Sequence, residues 1–119
     1  ATRPSGTDLQ SFILEFILTL ILMTVVLSVS TGAKEKGISA GVAVGSVIAL
    51  EALFAGPISG ASMNPIRSLA PALVSGNLNS LWIYMAAPIL GAVVAVFTCR
   101  WIHGVDCCGR AGEGGSCRA

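Results

Sequence analysis

Three long apolar segments constrain the fold of this chain more than any other feature of its sequence. They cover residues 9–31, 38–56 and 79–102, and the first of them contains a single ionisable side chain, Glu15. A helix that crosses the hydrocarbon core of a bilayer needs about 20 apolar residues, so each segment is long enough to span a membrane. Of the 119 residues, 54% are hydrophobic and only 11% are charged, a balance that excludes an ordinary water-soluble domain. The sequence therefore predicts an all-α membrane protein with three transmembrane helices.

The segment between the second and third spans, residues 57–76, predicts a re-entrant loop followed by a half-length helix. Asn64 precedes Pro65, a pair suited to the N-cap and first position of a helix, and Gly76 is suited to end that helix. A helix from Pro65 to Ser75 would be about 16 Å long, roughly half the thickness of a bilayer. Irregular backbone at membrane depth is tolerated only where it faces protein or a water-filled cavity. The segment therefore indicates a pore.

Basic and aromatic residues predict how the chain lies in a cell membrane. Basic side chains follow the first span (Lys34, Lys36) or flank and follow the third (Arg100, Arg110, Arg118), whereas the opposite side has only Arg3 near the end of a span. Because basic loops stay in the cytoplasm, we predict a multi-pass protein with a cytoplasmic C-terminus, in which residues 103–119 form a disordered tail. Trp82 and Tyr84, near the start of the third span, suit an aromatic belt at the membrane surface.

Charge and cysteine spacing exclude several classes of function. A net charge of +1 offers no basic field for nucleic acid. The four cysteines (Cys99, Cys107, Cys108 and Cys117) lack the paired spacing of a zinc site, and we interpret them as reduced residues outside any disulfide framework. No general acid–base pair, nucleophile constellation or phosphate loop is recognisable. We therefore predict no metal, no cofactor and no enzymatic activity.

Several motifs in the right order resemble the aquaporin, or major intrinsic protein, family. Residues 56–73 (GPISGASMNPIRSLAPAL) resemble its second signature loop, specifically that of the nodulin-like intrinsic proteins of plants and their bacterial relatives. Glu15 and Thr19 match a Glu-x-x-x-Thr motif of the fourth helix, and residues 81–91 match the sixth. The resemblance covers about residues 9–102 and implies the C-terminal half of an inverted repeat.

The resemblance also implies the rest of the assembly and its activity. The partners would be the lipid bilayer, a missing N-terminal half of the same protein and further copies in a homotetramer. The whole would be a passive channel for water and small uncharged solutes such as glycerol, urea or neutral metalloid acids, closed to ions and protons. Two alternatives stay open: half of a secondary transporter, because transporters also use broken helices, and an inactive partial fragment.

The resemblance assigns roles to individual residues of the broken segment. Asn64, Pro65 and Ile66 would be the pore signature motif, with Ile66 in place of the usual Ala. Arg67 would be the arginine of the selectivity filter, and a charge at membrane depth is in any case a functional candidate.

The remaining candidates lie on either side of that motif. Ala52 and Ala61 would complete this half of the filter, and two small apolar side chains favour solutes wider than water. Plain helix packing is the alternative for both. Glu15 would accept hydrogen bonds from the re-entrant loop, the alternative being a protonated buried acid. For Glu51, a hydrogen bond between helices is favoured over a position in the pore.

Overall fold

A computed structural model describes residues 5–32, 38–76 and 78–103, and every regular element within these ranges is an α-helix. In chain order the elements are α1 (Asp8–Gly32), α2 (Ile38–Ser59), α3 (Pro65–Ser75) and α4 (Leu81–His103). The described residues contain three helices that are long and apolar enough to cross a membrane, namely α1, α2 and α4. The prediction of an all-α chain with three spanning helices and one short helix is therefore confirmed.

Local chemistry explains where α1 begins. Thr7 precedes the helix, and its Oγ1 accepts a hydrogen bond from the Gln10 N–H at 3.3 Å. A Thr followed three residues later by Gln is a capping pair, and Asp8 places a negative charge in the first turn, where the helix dipole favours it. The span predicted from hydropathy alone starts one residue later, at Leu9.

The end of α2 differs from the prediction. The broken segment was expected to begin at Pro57, but the helix continues through it to Ser59. A proline removes one helical hydrogen bond, a small loss so near the end of a helix. The helical pattern resumes at once, because the Gly60 N–H donates to the Gly56 carbonyl at 3.0 Å. The irregular loop therefore begins at Gly60.

Other segments of the chain satisfy the last carbonyl groups of α2. The Pro57 carbonyl accepts from Ser5 Oγ and the Ile58 carbonyl accepts from Ser5 N, each at 2.9 Å. The Ser59 carbonyl accepts a short hydrogen bond from the Tyr84 hydroxyl. A buried helix end without such partners would leave polar groups unpaired. The end of α2 is thus tied to the start of the chain and to α4.

Close packing joins α1 to α4, the helix against which it packs most extensively. At Gly91 of α4, an added Cβ would lie 2.6 Å from the Phe16 carbonyl oxygen of α1. Small residues at such crossings let membrane helices approach closely. Among the described helices, α1 also packs against α2, whereas α3 packs against α4 alone.

Candidate functional site

The half-length helix α3 begins at the motif predicted from the sequence. Asn64 is its N-cap, with extended backbone (φ −148°, ψ 123°), and Asn64 Oδ1 accepts from the Ile66 N–H at 2.9 Å. Pro65 follows at the first helical position, and Gly76 ends the helix in the left-handed conformation (φ 68°). Since the Asn64 oxygen caps the helix, its NH₂ group is the part of the amide that can donate to a solute.

A carboxylate from α1 holds the loop that leads into α3. Glu15 is fully buried. Its Oε1 accepts from Ser59 Oγ at 2.8 Å and from Ser62 N at 3.0 Å, and its Oε2 accepts from Met63 N at 2.8 Å. A buried charge is tolerated when donors surround it, and hydrogen bonds to a carboxylate are about twice as strong as neutral ones. Glu15 thus satisfies two backbone amides that a spanning helix would have paired internally.

The same loop carries left-handed backbone at residues other than glycine. Gly60 has φ 89°, which glycine adopts freely, but Ala61 and Met63 have φ 41° and φ 53°. Such conformations cost about 1–3 kcal/mol each and persist only where the surroundings hold them. The amide of Met63 is one of those bound by Glu15. The hydrogen bond to Glu15 therefore offsets part of the backbone strain in this loop.

Buried hydroxyl groups extend this network to α2, α3 and α4. Ser62 Oγ donates to the Asn64 carbonyl at 2.9 Å, and Ser68 Oγ donates to Ser62 Oγ at 2.6 Å. Ser59 Oγ also accepts from Ala61 N at 3.2 Å. Ser59 and Ser62 were not among the candidates predicted from the sequence, although a polar side chain inside an apolar membrane segment is a signal of function in its own right.

Tyr84 also takes part in the network, contrary to the prediction of a surface belt. It is 1% exposed and donates to the Ser59 carbonyl, whereas Trp82 is 54% exposed and stacks on Phe12 at a ring-centre distance of 5.9 Å. A tyrosine is buried where its hydroxyl finds a partner. That partner lies on α2, which the local sequence around Tyr84 does not reveal.

The filter candidates divide into an exposed group and a buried residue. Ala52, Asn64, Ile66 and Arg67 are exposed, and Arg67 makes no ion pair within the part of the chain that the structure describes. Ala61 is 2% exposed and packs in a cluster whose other buried members are Leu18, Ala55 and Met63. The structure therefore brings the first turn of α3 together as an exposed surface but does not bring the Ala61 side chain to it.

Glu51 lies on the packed side of α2 beside the exposed Ala52. Ala55 and Ser59 lie on the same side of α2 and are also buried. Both of its carboxyl oxygens are enclosed and have no hydrogen-bond partner among the described residues. The predicted hydrogen bond between helices is therefore not found there.

The predictions about metals, cysteines and basic residues can be compared with the structure only in part. No group of three or more His, Cys, Asp or Glu side chains suited to a metal occurs within residues 5–32, 38–76 and 78–103. Cys99 is buried and disulfide-bonded, so the interpretation of reduced cysteines is wrong for this residue. Several predictions fall on residues outside the described ranges: the other three cysteines, the tail from residue 104, and most of the basic residues used for orientation (Arg3, Lys34, Lys36, Arg110 and Arg118).

Comparison with known proteins gives a consistent family. The profile of the family described as "Major intrinsic protein" matches residues 1–99. The chain is 51% identical over 96 residues to Aquaporin NIP1-1 of Oryza sativa subsp. japonica, covering 81% of this chain and 34% of that protein. It is 44% identical over 104 residues to Nodulin-26 of Glycine max (87% and 37%) and 49% identical over 105 residues to Aquaporin NIP1-2 of Arabidopsis thaliana (88% and 36%). The chain thus spans about a third of the length of these curated relatives.

Proposed function

The chain belongs to the major intrinsic protein family, and from that premise we propose that it forms the C-terminal half of a passive membrane channel. Residues 1–102 supply the spans and the re-entrant segment, and residues 103–119 form a cytoplasmic tail. The channel passes water and small uncharged solutes down their gradients and performs no chemistry. One observation carries the proposal: a half-length helix begins at Asn64, and the buried Glu15 carboxylate holds the strained loop that leads into it.

The first turn of α3 supports the exclusion of cations. A helix N-terminus carries about half a positive charge, and the exposed Arg67 adds a full one. Cations are repelled there, whereas a water molecule can accept a hydrogen bond from the Asn64 amide. A water held in this way directs its own protons away from the amide, which interrupts proton transfer along a file of waters.

The candidate filter residue on α2 supports a pore wider than a water-only channel. Ala52 is exposed and presents only a methyl group. A small apolar wall leaves room for glycerol, urea or neutral metalloid acids, while Arg67 offers several donors to their oxygens. Ala61 contributes to this region through the shape of the loop, since its side chain is packed against Leu18 and Ala55.

Three features of the whole protein belong to the same proposal. An N-terminal half with its own half-helix faces α3 and closes the pore, in keeping with relatives of which the matched residues make up only 34–37%. The complete channel forms a homotetramer. Its C-terminus is cytoplasmic, as the basic residues between the first two spans and after the third favour.

Transport measurements test this proposal against its alternatives. The full-length protein in proteoliposomes is expected to accelerate osmotic shrinkage and glycerol entry, measured by stopped-flow light scattering, without dependence on Na⁺ or H⁺ gradients. Uptake coupled to either gradient would instead indicate half of a secondary transporter. The 119-residue chain alone is expected to match empty vesicles, because one half leaves the exposed first turn of α3 without a facing wall.

A further inference from the structure

The half-helix α3 depends on its loop for its position relative to α1 and α2. Among the described helices it packs against α4 alone. Its exposed first turn carries Asn64 and Arg67, the two residues on which the proposed selectivity rests. Any displacement of α3 would therefore move both groups together with respect to α1 and α2. Hydrogen bonds from the loop link α3 to α1 directly, in addition to the indirect link through α4, which packs against both helices.

Ser62 links α1 to α3 through both its backbone and its side chain. Its backbone N–H donates to Glu15 Oε1 of α1 at 3.0 Å. Its hydroxyl donates to the carbonyl of the N-cap residue, Asn64, at 2.9 Å and accepts from Ser68 Oγ in α3 at 2.6 Å. Ser62 and Ser68 are each 1% exposed. Two hydroxyl bonds thus fasten the start of α3 to a loop residue that is itself held by α1.

We propose that the Ser62–Ser68 hydroxyl pair sets the position of Asn64 and Arg67 and thereby the solute selectivity of the channel. Both serines are positioning residues, since they are buried and act through groups that are exposed. This inference rests on the proposed channel function. Glycerol, which must satisfy several hydroxyl groups at once, depends more on a fixed arrangement of donors than water does.

The ratio of glycerol to water permeability of the full-length protein tests this inference. Ser62→Ala removes both hydroxyl bonds, and we expect the ratio to fall by about threefold or more, the effect of one neutral hydrogen bond on a rate or equilibrium. Ser68→Ala removes one of the two bonds and should lower the ratio by less. In the double variant the fall should be smaller than the two single effects combined, because the shared bond can be lost only once.

Ser75→Ala provides the matched control. Ser75 is the other serine of α3 and is exposed. Among the described residues its hydroxyl makes a single long contact, of 3.4 Å to the Ala72 carbonyl, so its removal should leave the ratio unchanged. A Ser62→Ala ratio equal to that of the control overturns the inference, and so do effects that add fully in the double variant. If Ser62→Ala does not assemble, an unchanged ratio in Ser68→Ala has the same meaning. A wild-type protein that conducts nothing refutes the proposed function itself, and the inference with it.

Discussion

At the scale of single residues, two buried glutamates show that hydrogen-bond partners determine whether a buried carboxyl group stabilises the protein. Glu15 is fully buried and accepts from three donors. Glu51 is 3% exposed, and its oxygens have no partner among the described residues. Burying a polar group without a hydrogen bond costs free energy, whereas a well-satisfied carboxylate organises the groups around it. The two side chains should therefore affect stability with opposite signs.

Replacing each glutamate by methionine, which has a similar shape and no charge, separates the two cases. Glu15→Met leaves two backbone amides and a serine hydroxyl without their acceptor, and we expect a loss of about 3–5 kcal/mol. Glu51→Met removes an unpaired polar group, so we expect a gain of about 1–3 kcal/mol. The midpoint of thermal unfolding in detergent measures both. Destabilisation by Glu51→Met would mean that the carboxyl has a partner in the assembled protein.

The roles of these two glutamates could be predicted from the sequence only in part. The resemblance implied a carboxylate that holds the loop, and Glu15 lies within hydrogen-bond distance of that loop. For Glu51, helical periodicity predicts the face of α2 but not the atoms opposite it, and the expected hydrogen bond is absent among the described residues. Side-chain partners across helices depend on packing, which helical periodicity alone does not specify.

At the scale of elements, the helix ends that could be predicted are those set by residues close to them in the sequence. Helix α3 begins at Pro65 and ends at Ser75 as predicted, because the N-cap, the proline and the left-handed glycine act within a few residues of the chain. The end of α2 was predicted too early, since contacts from distant Ser5 and Tyr84 stabilise its last carbonyl groups. Tertiary contacts of this kind leave no local signature in the sequence.

The crossing of α1 and α4 gives a prediction at the same scale. In Gly91→Ala the new Cβ would lie 2.6 Å from the Phe16 carbonyl oxygen, 3.1 Å from Thr19 Cβ and 3.2 Å from the Leu20 nitrogen. Because two of these atoms belong to the backbone, the helices must separate, and we expect a loss of about 1–3 kcal/mol. Thermal unfolding in detergent reports this loss directly.

A second helical glycine serves as the control for that variant. Apart from the neighbouring backbone of α2 itself, no atom of the described residues lies within 4 Å of a Cβ added at Gly45. Gly45→Ala should therefore stabilise α2 by up to about 1 kcal/mol, since alanine favours a helix more than glycine does. If Gly91→Ala were as well tolerated as Gly45→Ala, the close contact between α1 and α4 would not contribute to stability.

At the scale of the whole molecule, most of the apolar surface remains uncovered. In the most apolar stretch of α2, only 11% of the residues are buried, against 33% in that of α4. A soluble protein would not leave such surface in water, and a bilayer or further protein must cover it. This much followed from hydropathy and length, which need no knowledge of contacts. From this chain alone, the proposed pore can be altered at the exposed surface of α2 that carries Ala52.

Ala52→His in the complete channel changes the size of that pore. In the proposed filter, an imidazole in place of this exposed methyl group would narrow the opening and add a hydrogen-bonding group that water can use. We expect glycerol permeability to fall by about tenfold more than water permeability, since steric discrimination in a pocket reaches that order. Stopped-flow measurements of both permeabilities on the same proteoliposomes give the ratio. Phe54→His, two residues along and about 200° around the helix, should leave the ratio unchanged. Equal loss of both permeabilities in Ala52→His would instead place Ala52 in helix packing rather than in the filter.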